Sequence, residues 1–211
     1  MIKFKELLRN SEKVILPNFD ADTEALMRGL EVTEKIYWNI PREVGEFLYK
    51  LLVSNGAVKV LEIGTSNGYS GIWLASAIKN NSNSRSGGFL VTIESHGERY
   101  LLAQQNFLKA HLVEYIKQVK GHAPEVFEND DIKSGSFDAL FFDATKKQHV
   151  DFFNRGVPLL KEGGLLIADN ILSHWDSMEA FVKTVESSNL FDGEVLKIGQ
   201  GVYVGIKKES L

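Results

Sequence analysis

The chain has 211 residues, 44% of them hydrophobic and 25% charged, and carries a formal net charge of −4. That length suits one domain with a full-sized core, and the mild acidity disfavours a surface that grips nucleic acid by charge alone. With no cysteine present, disulfides, thiolate zinc sites and cysteine nucleophiles are excluded.

No apolar stretch approaches the ~20 residues needed to span a bilayer. The opening MIKFKELLRNSEK lacks the apolar core and small-residue cleavage site of a signal peptide, so a cytoplasmic location is expected. Before residue 58 the pattern is helical. Asp20 is placed to cap a helix carrying Leu26, Met27 and Leu30, and Pro41 to open a second carrying Val44, Phe47, Leu48, Leu51 and Leu52. Leu26, Met27, Leu30 and Ile36 exceed the apolar surface that a simple lid needs, so this stretch is expected to contribute to a homodimer.

From residue 58 short apolar runs alternate with amphipathic segments. Strands are predicted at 58–63 (VKVLEI), 89–94 (FLVTIE), 115–120 (YIKQVK), 137–143 (FDALFFD) and 164–169 (GLLIAD). Helices are predicted at 69–79, 99–111, 148–160 and 177–186, and the polar NNSNSRSGG at 80–88 reads as a surface loop. Two last strands, 194–199 and 202–208, are joined by Gly199-Gln200-Gly201, too short for a crossover helix, so they form an antiparallel hairpin. The predicted fold is a doubly wound α/β domain: a mostly parallel seven-stranded sheet with helices on both faces. Ligands on such sheets bind at the carboxyl ends of the strands, where Gly64, Glu94, Gly121, Asp143 and Asp169 all fall.

The first strand runs into Glu62-Ile63-Gly64-Thr65-Ser66-Asn67-Gly68-Tyr69-Ser70. Gly64 and Gly68 permit a tight turn and close approach of a ligand at a helix N-terminus. A dinucleotide loop would need a glycine where Ser66 stands. The acidic-x-Gly-x-x-x-Gly pattern instead suits a nucleoside ligand without a pyrophosphate, and leaves Glu62 to reach a ligand's ammonium group. Glu94, ending the second strand, is placed to accept from both hydroxyls of a ribose.

Asp143, Asp169 and Asn170 end adjacent strands and bring two carboxylates and an amide to one edge. Such a hard-oxygen set suits Mg²⁺ with positions left open, although an acid at a strand end serves equally as a helix cap. Lys146 follows Asp143 by three residues. Beside a bound dication its pKa would fall and it could act as a base; on residues alone, solvent exposure explains it as well.

Together these segments resemble the cation-dependent O-methyltransferases, the family of catechol and caffeoyl-CoA O-methyltransferases and their bacterial relatives. VLEIGTSNGYS is similar to the family's cofactor loop, FFDATK to its Asp-x-x-Lys segment, GGLLIADNIL to its fifth strand and IGQGVYVGIKK to its closing hairpin. The resemblance implies a Rossmann-like fold binding S-adenosylmethionine, with Glu62, Gly64, Gly68 and Ser70 at the methionine end, Glu94 at the ribose and Ala123 near the adenine. Ile40, Ser66 and Asp143 join that cofactor set. It implies Asp143, Asp169 and Asn170 as ligands of Mg²⁺, or of Mn²⁺ or Ca²⁺, and Lys146 with Asp143 as catalytic. Trp38-Asn39-Ile40 and Gly45 resemble a segment closing over cofactor and substrate, so residues 1–57 would be a helical extension on that side of a single domain, 1–211.

The expected reaction is methylation of a hydroxylated, catechol-like small molecule. A divalent cation lowers the pKa of a hydroxyl bound to it, and most of the catalysis is positioning. Trp38 and Trp175 are candidates to wall the pocket. Ala-Thr-Lys after Asp143 departs from the Ala-Asp-Lys of many bacterial members, and 174–196 is shorter than in plant and bacterial members, so the acceptor does not carry over. A tRNA hydroxyuridine methyltransferase stays open, as some bacterial relatives act there. A nicotinamide-dependent oxidoreductase is disfavoured by Ser66, and a non-catalytic binder by the presence of Lys146 and all three oxygen ligands.

Overall fold

Short apolar runs become strands in this chain because helices cover both faces of the sheet they build. The computed structural model describes residues 2–82, 87–133 and 136–209. Among these, the strands are β1 (Lys59–Ile63), β2 (Phe89–Glu94), β3 (Ile116–Lys120), β4 (Phe137–Phe142), β5 (Leu160–Ala168), β6 (Phe191–Leu196) and β7 (Val202–Lys207). They form one sheet in the order β3-β2-β1-β4-β5-β7-β6. The first five are parallel; β7 runs antiparallel to both β5 and β6. Chain order reverses between β1 and β4, which opens the crevice at their carboxyl ends.

The helices are α1 (Phe4–Ser11), α2 (Ala21–Val32), α3 (Glu34–Tyr37), α4 (Arg42–Asn55), α5 (Tyr69–Ser82), α6 (Gly97–Lys109), α7 (Asp130–Lys133), α8 (His149–Gly156) and α9 (Trp175–Ser188). Asp20 caps α2 as expected, its Oδ1 accepting from the Thr23 amide at 2.7 Å, a bond that stabilises such a helix by about 1 kcal/mol. Pro41 precedes α4 in an extended conformation, and Gly56 closes it with φ 71°.

Strand alternation splits the core in two. Val60, Phe141, Ile167 and Val204 face a cluster that includes Leu48, Trp73 and Phe107 from α4, α5 and α6. Leu61, Phe142, Leu166 and Tyr203 face another, with Phe152 from α8 and Phe181 from α9. On the first face α4 packs tightly on α5, since a Cβ at Gly45 would collide with the Trp73 indole. Gly45 therefore serves helix contact.

Several boundaries differ from the expected ones. β5 starts at Leu160, earlier than predicted, because a register shift after Phe137 lets Leu160 pair with it while the polar 161–163 hides the strand. β6 starts at Phe191, because an edge strand whose residues 192–194 are exposed shows no apolar run. α8 stops at Gly156, before a 3-10 turn containing Pro158, which has no amide to donate. Residues 83–86 of the loop expected at 80–88 lie outside the described residues, and Asn80 to Ser82 finish α5. Met27 and Leu30, taken as apolar surplus for a partner, are buried in this chain's own core; Leu26 packs against that core and Ile36 is 65% exposed. Among the described residues no helix is long and apolar enough to cross a membrane.

Candidate active site

Backbone bonds hold the strand ends in register at the reversal point. The Gly64 amide donates to the Ile93 carbonyl at 3.1 Å, the Asp143 amide to Ile63 at 2.9 Å, and the Asp169 amide to Phe142 at 3.1 Å. Gly64 takes φ 106°, and the place a Cβ would occupy is filled by the Asp143 carbonyl. Its neighbour Gly68, φ 89°, is pressed against the Phe107 ring. Both glycines are thus demanded by the chain's own packing.

Glu62 is fully buried. Its Oε1 accepts from the Ser70 hydroxyl at 2.5 Å and its Oε2 from Thr92 at 2.6 Å. Burial lifts its carboxyl to about 7, the two hydroxyls pull it back, and the charges of Asp143 and Glu94 add to the rise. Glu62, Ser70, Gly68, Ile40 and Asp169 are buried and do not line the cavity; Ile40 belongs to the apolar core.

That cavity, about 610 Å³, opens at the carboxyl ends of the strands. Gly64, Ser66, Glu94, Ala123, Asp143, Lys146 and Asn170 all line it, so the topology gathers most of the expected site. Glu94 receives the Ser66 and His96 amides, one on each carboxylate oxygen, both at 2.8 Å. A carboxylate has about four acceptor positions, so capacity for ligand hydroxyls remains. Ser66 adopts φ 50°, and its hydroxyl donates to the Tyr37 carbonyl at 2.7 Å. This bond ties the N-terminal helices to the glycine loop, as does the Tyr69 hydroxyl, which donates to Glu31 at 2.8 Å. Trp38, 72% exposed, lines the cavity with the Arg99 guanidinium stacked 4.9 Å from its ring centroid. Trp175 does not reach the wall.

At the other end, Lys146 Nζ donates to Asp143 Oδ1 at 2.9 Å, with both side chains mostly buried. Asp169 is buried beside them, and neither of its carboxylate oxygens has a hydrogen-bond partner among the described residues. Burial, and then the charge of Asp143, push its carboxyl up to about 7. Asn170 follows with φ 63°. Among the described residues no three His, Asp or Glu side chains gather as a metal cluster, so a cation would rest on two carboxylates and the Asn170 amide.

Sequence reasoning missed several residues here. His149 is buried among Phe142, Phe152 and Phe181, with its Nδ1 3.3 Å from the Thr145 carbonyl. Burial, and then the Lys146 charge, hold its pKa down at about 4, so it is a neutral prop under the 143–146 turn. Arg99, His122, His174 and Gln200 also reach the cavity. Gln200 sits in the hairpin motif but nothing local assigns it to a site, and tertiary placement is what brings all four to the cavity.

A doubly wound sheet with its cavity at the strand reversal, tipped with acids and lacking the dinucleotide glycine pattern, is the Rossmann-like methyltransferase architecture. The O-methyltransferase from Bacillus cereus, solved in complex with SAH, shares it with a TM-score of 0.78 at 24% identity, over 96% of this chain and 97% of that one. The chain belongs to the O-methyltransferase family, whose model matches residues 18–192. It is similar to a catechol O-methyltransferase from Niastella koreensis, 33% identical over 132 residues, which cover 61% of this chain and 56% of the relative. It is also similar to caffeoyl-CoA O-methyltransferase 1 of Eucalyptus globulus, 31% identical over 159 residues, 73% of this chain and 62% of the relative. The matches thus span under two thirds of either relative's length.

Proposed function

We propose that this chain is an S-adenosylmethionine-dependent O-methyltransferase that uses a divalent cation to methylate a hydroxylated small molecule. The observation that carries this reading is Asp169: a buried carboxylate without a hydrogen-bond partner among the described residues, just behind the cavity wall and beside Asp143, which lines the same cavity as Glu94. An unpaired buried carboxylate is costly, and an oxygen-ligated cation relieves that cost. The donor set therefore fits a hard dication, held by Asp143, Asp169 and Asn170.

When bound, such a cation lowers the pKa of a coordinated hydroxyl toward neutrality. The chain's own residues do the rest. Glu94 holds ribose hydroxyls, while Gly64, Ser66 and Ala123 shape the wall against the cofactor. Lys146 Nζ, once released from Asp143, is the group placed to take the acceptor's hydroxyl proton. The acceptor oxygen then bonds to the methyl carbon as that carbon's bond to sulfur breaks. Holding both reactants in one pocket supplies most of the rate.

The test is methyl transfer from labelled S-adenosylmethionine with Mg²⁺ to catechols, hydroxylated phenylpropanoids and undermodified tRNA. Methylation of a small phenolic supports the reading, and methylation of tRNA alone replaces it. Calorimetry in which NAD binds more tightly than S-adenosylhomocysteine would remove the cofactor assignment.

A further inference from the structure

The turn between β6 and β7 is seated in the site by contacts that connecting two strands does not require. The Gly199 amide donates to Glu43 Oε1 at 3.1 Å. The Gln200 carbonyl accepts from the Leu172 and Ser173 amides at 3.0 and 3.2 Å, and the Gly201 carbonyl from Ile171 at 2.9 Å. A Cβ at Gly201 would strike Leu172, and one at Gly199 would strike Val44. The turn is therefore wedged between α4 and the segment after β5. Its one side chain, Gln200, faces the cavity. There the Asn170 Nδ2 donates to Gln200 Oε1 at 3.2 Å.

An asparagine amide has two ends, and only its oxygen can ligate a cation. Once the nitrogen is committed to an acceptor, the oxygen is the end left for the metal side. Asn170 is placed by its left-handed backbone, φ 63°, yet its own torsions do not decide which end faces where. Gln200 does. We infer that Gln200 is a positioning residue: it accepts from Asn170 and fixes the amide so that its oxygen joins Asp143 and Asp169. This rests on the cation reading above. Partners of metal ligands act in this way, and their loss typically weakens metal affinity by 10–100-fold.

The experiment is a titration of the full chain with Mn²⁺, followed by paramagnetic resonance, for the wild type and the variants Gln200→Leu, Gln200→Glu and Asp169→Ala. Each is also titrated with S-adenosylhomocysteine and unfolded by heat in EDTA. Gln200→Leu should weaken Mn²⁺ about 10-fold, with cofactor affinity and the EDTA melting temperature unchanged. Gln200→Glu, whose side chain only accepts, should bind Mn²⁺ at least as tightly as the wild type. It would repel Asn170 if that residue turned its oxygen toward position 200. Wild-type Mn²⁺ affinity in Gln200→Leu, or weakening in both position-200 variants, overturns the inference, as does a parallel fall in cofactor affinity and melting temperature. If the wild type binds S-adenosylhomocysteine but no Mn²⁺, the cation reading falls and this inference with it. If only Asp169→Ala loses Mn²⁺, the cation reading stands and Gln200 is excluded.

Discussion

Lys146 Nζ lies 2.9 Å from Asp143 Oδ1, whereas the neighbouring carboxylate of Asp169 feels the same ammonium but has no hydrogen-bond partner among the described residues. One acid at the cavity's end is already balanced and the other is not. That asymmetry separates the two acids: Asp143 shares its charge with the Lys146 ammonium, and Asp169 has no such contact, which is why the proposed cation is assigned to it.

Replacing Lys146 with methionine should lower kcat by about 10²–10⁴-fold, the usual loss with a general base, and leave S-adenosylhomocysteine affinity as it was. Asp169→Ala should abolish turnover with the same indifference in cofactor binding. EDTA should stop the wild type, and Mg²⁺ should restart it. Rate assays beside calorimetry decide; full activity in EDTA would remove the cation from the reaction.

Glu94→Ala should weaken S-adenosylhomocysteine by about 1–3 kcal/mol, the cost of leaving hydroxyl partners unpaired. The Ser66 and His96 amides lose their acceptor too. Slower cofactor-loop hydrogen exchange in the wild type than in the variant would register that second loss.

Glu62 gives the apo protein a pH signature. Its folded carboxyl is raised to about 7 from 4.5, so the folded state holds a proton that the unfolded chain has already released. The stability this contributes is complete below about 4.5 and is lost as pH rises through about 7. Glu62→Gln should flatten that decline, by on the order of 3 kcal/mol between the two limits. Urea unfolding at pH 5 and pH 8 measures it; equal slopes for variant and wild type would contradict the assignment.

Gly45→Ala drives a methyl group into the Trp73 indole. Overpacking of this kind destabilises by about 1–3 kcal/mol, and the melting temperature should fall while KM for the acceptor holds. A KM rise at unchanged stability would return Gly45 to the substrate-closing segment it resembles.

How far the sequence was legible depended on where each signal sits. β1, β2 and β4 are buried on both faces, and such strands appear as near-continuous apolar runs, interrupted here by Glu62, Thr92 and Asp138. β6 has no such signature, because an edge strand with polar 192–194 buries little. Asp143, Asp169 and Glu94 could be placed together because strand ends in this topology share one edge. Glu62 falls on the expected strand, but its burial and its bonds from Ser70 and Thr92 could not be read from the sequence. The bonds from Ser66 to Tyr37 and from Asn170 to Gln200 join residues 29 and 30 positions apart. No local pattern announces a pairing at that separation.

The two apolar clusters on opposite faces of the sheet also divide the molecule for anyone redesigning it. A change at Phe181 must be absorbed by Phe142, Phe153, His149 and Tyr203, which it touches. A change at Trp73 falls on Phe19, Arg42 and Gly45. These neighbourhoods share no side chain, and effects at sites without shared partners usually add to within about 0.5 kcal/mol. Stabilising libraries can therefore be searched one face at a time and their winners combined, with the strands between acting as a partition.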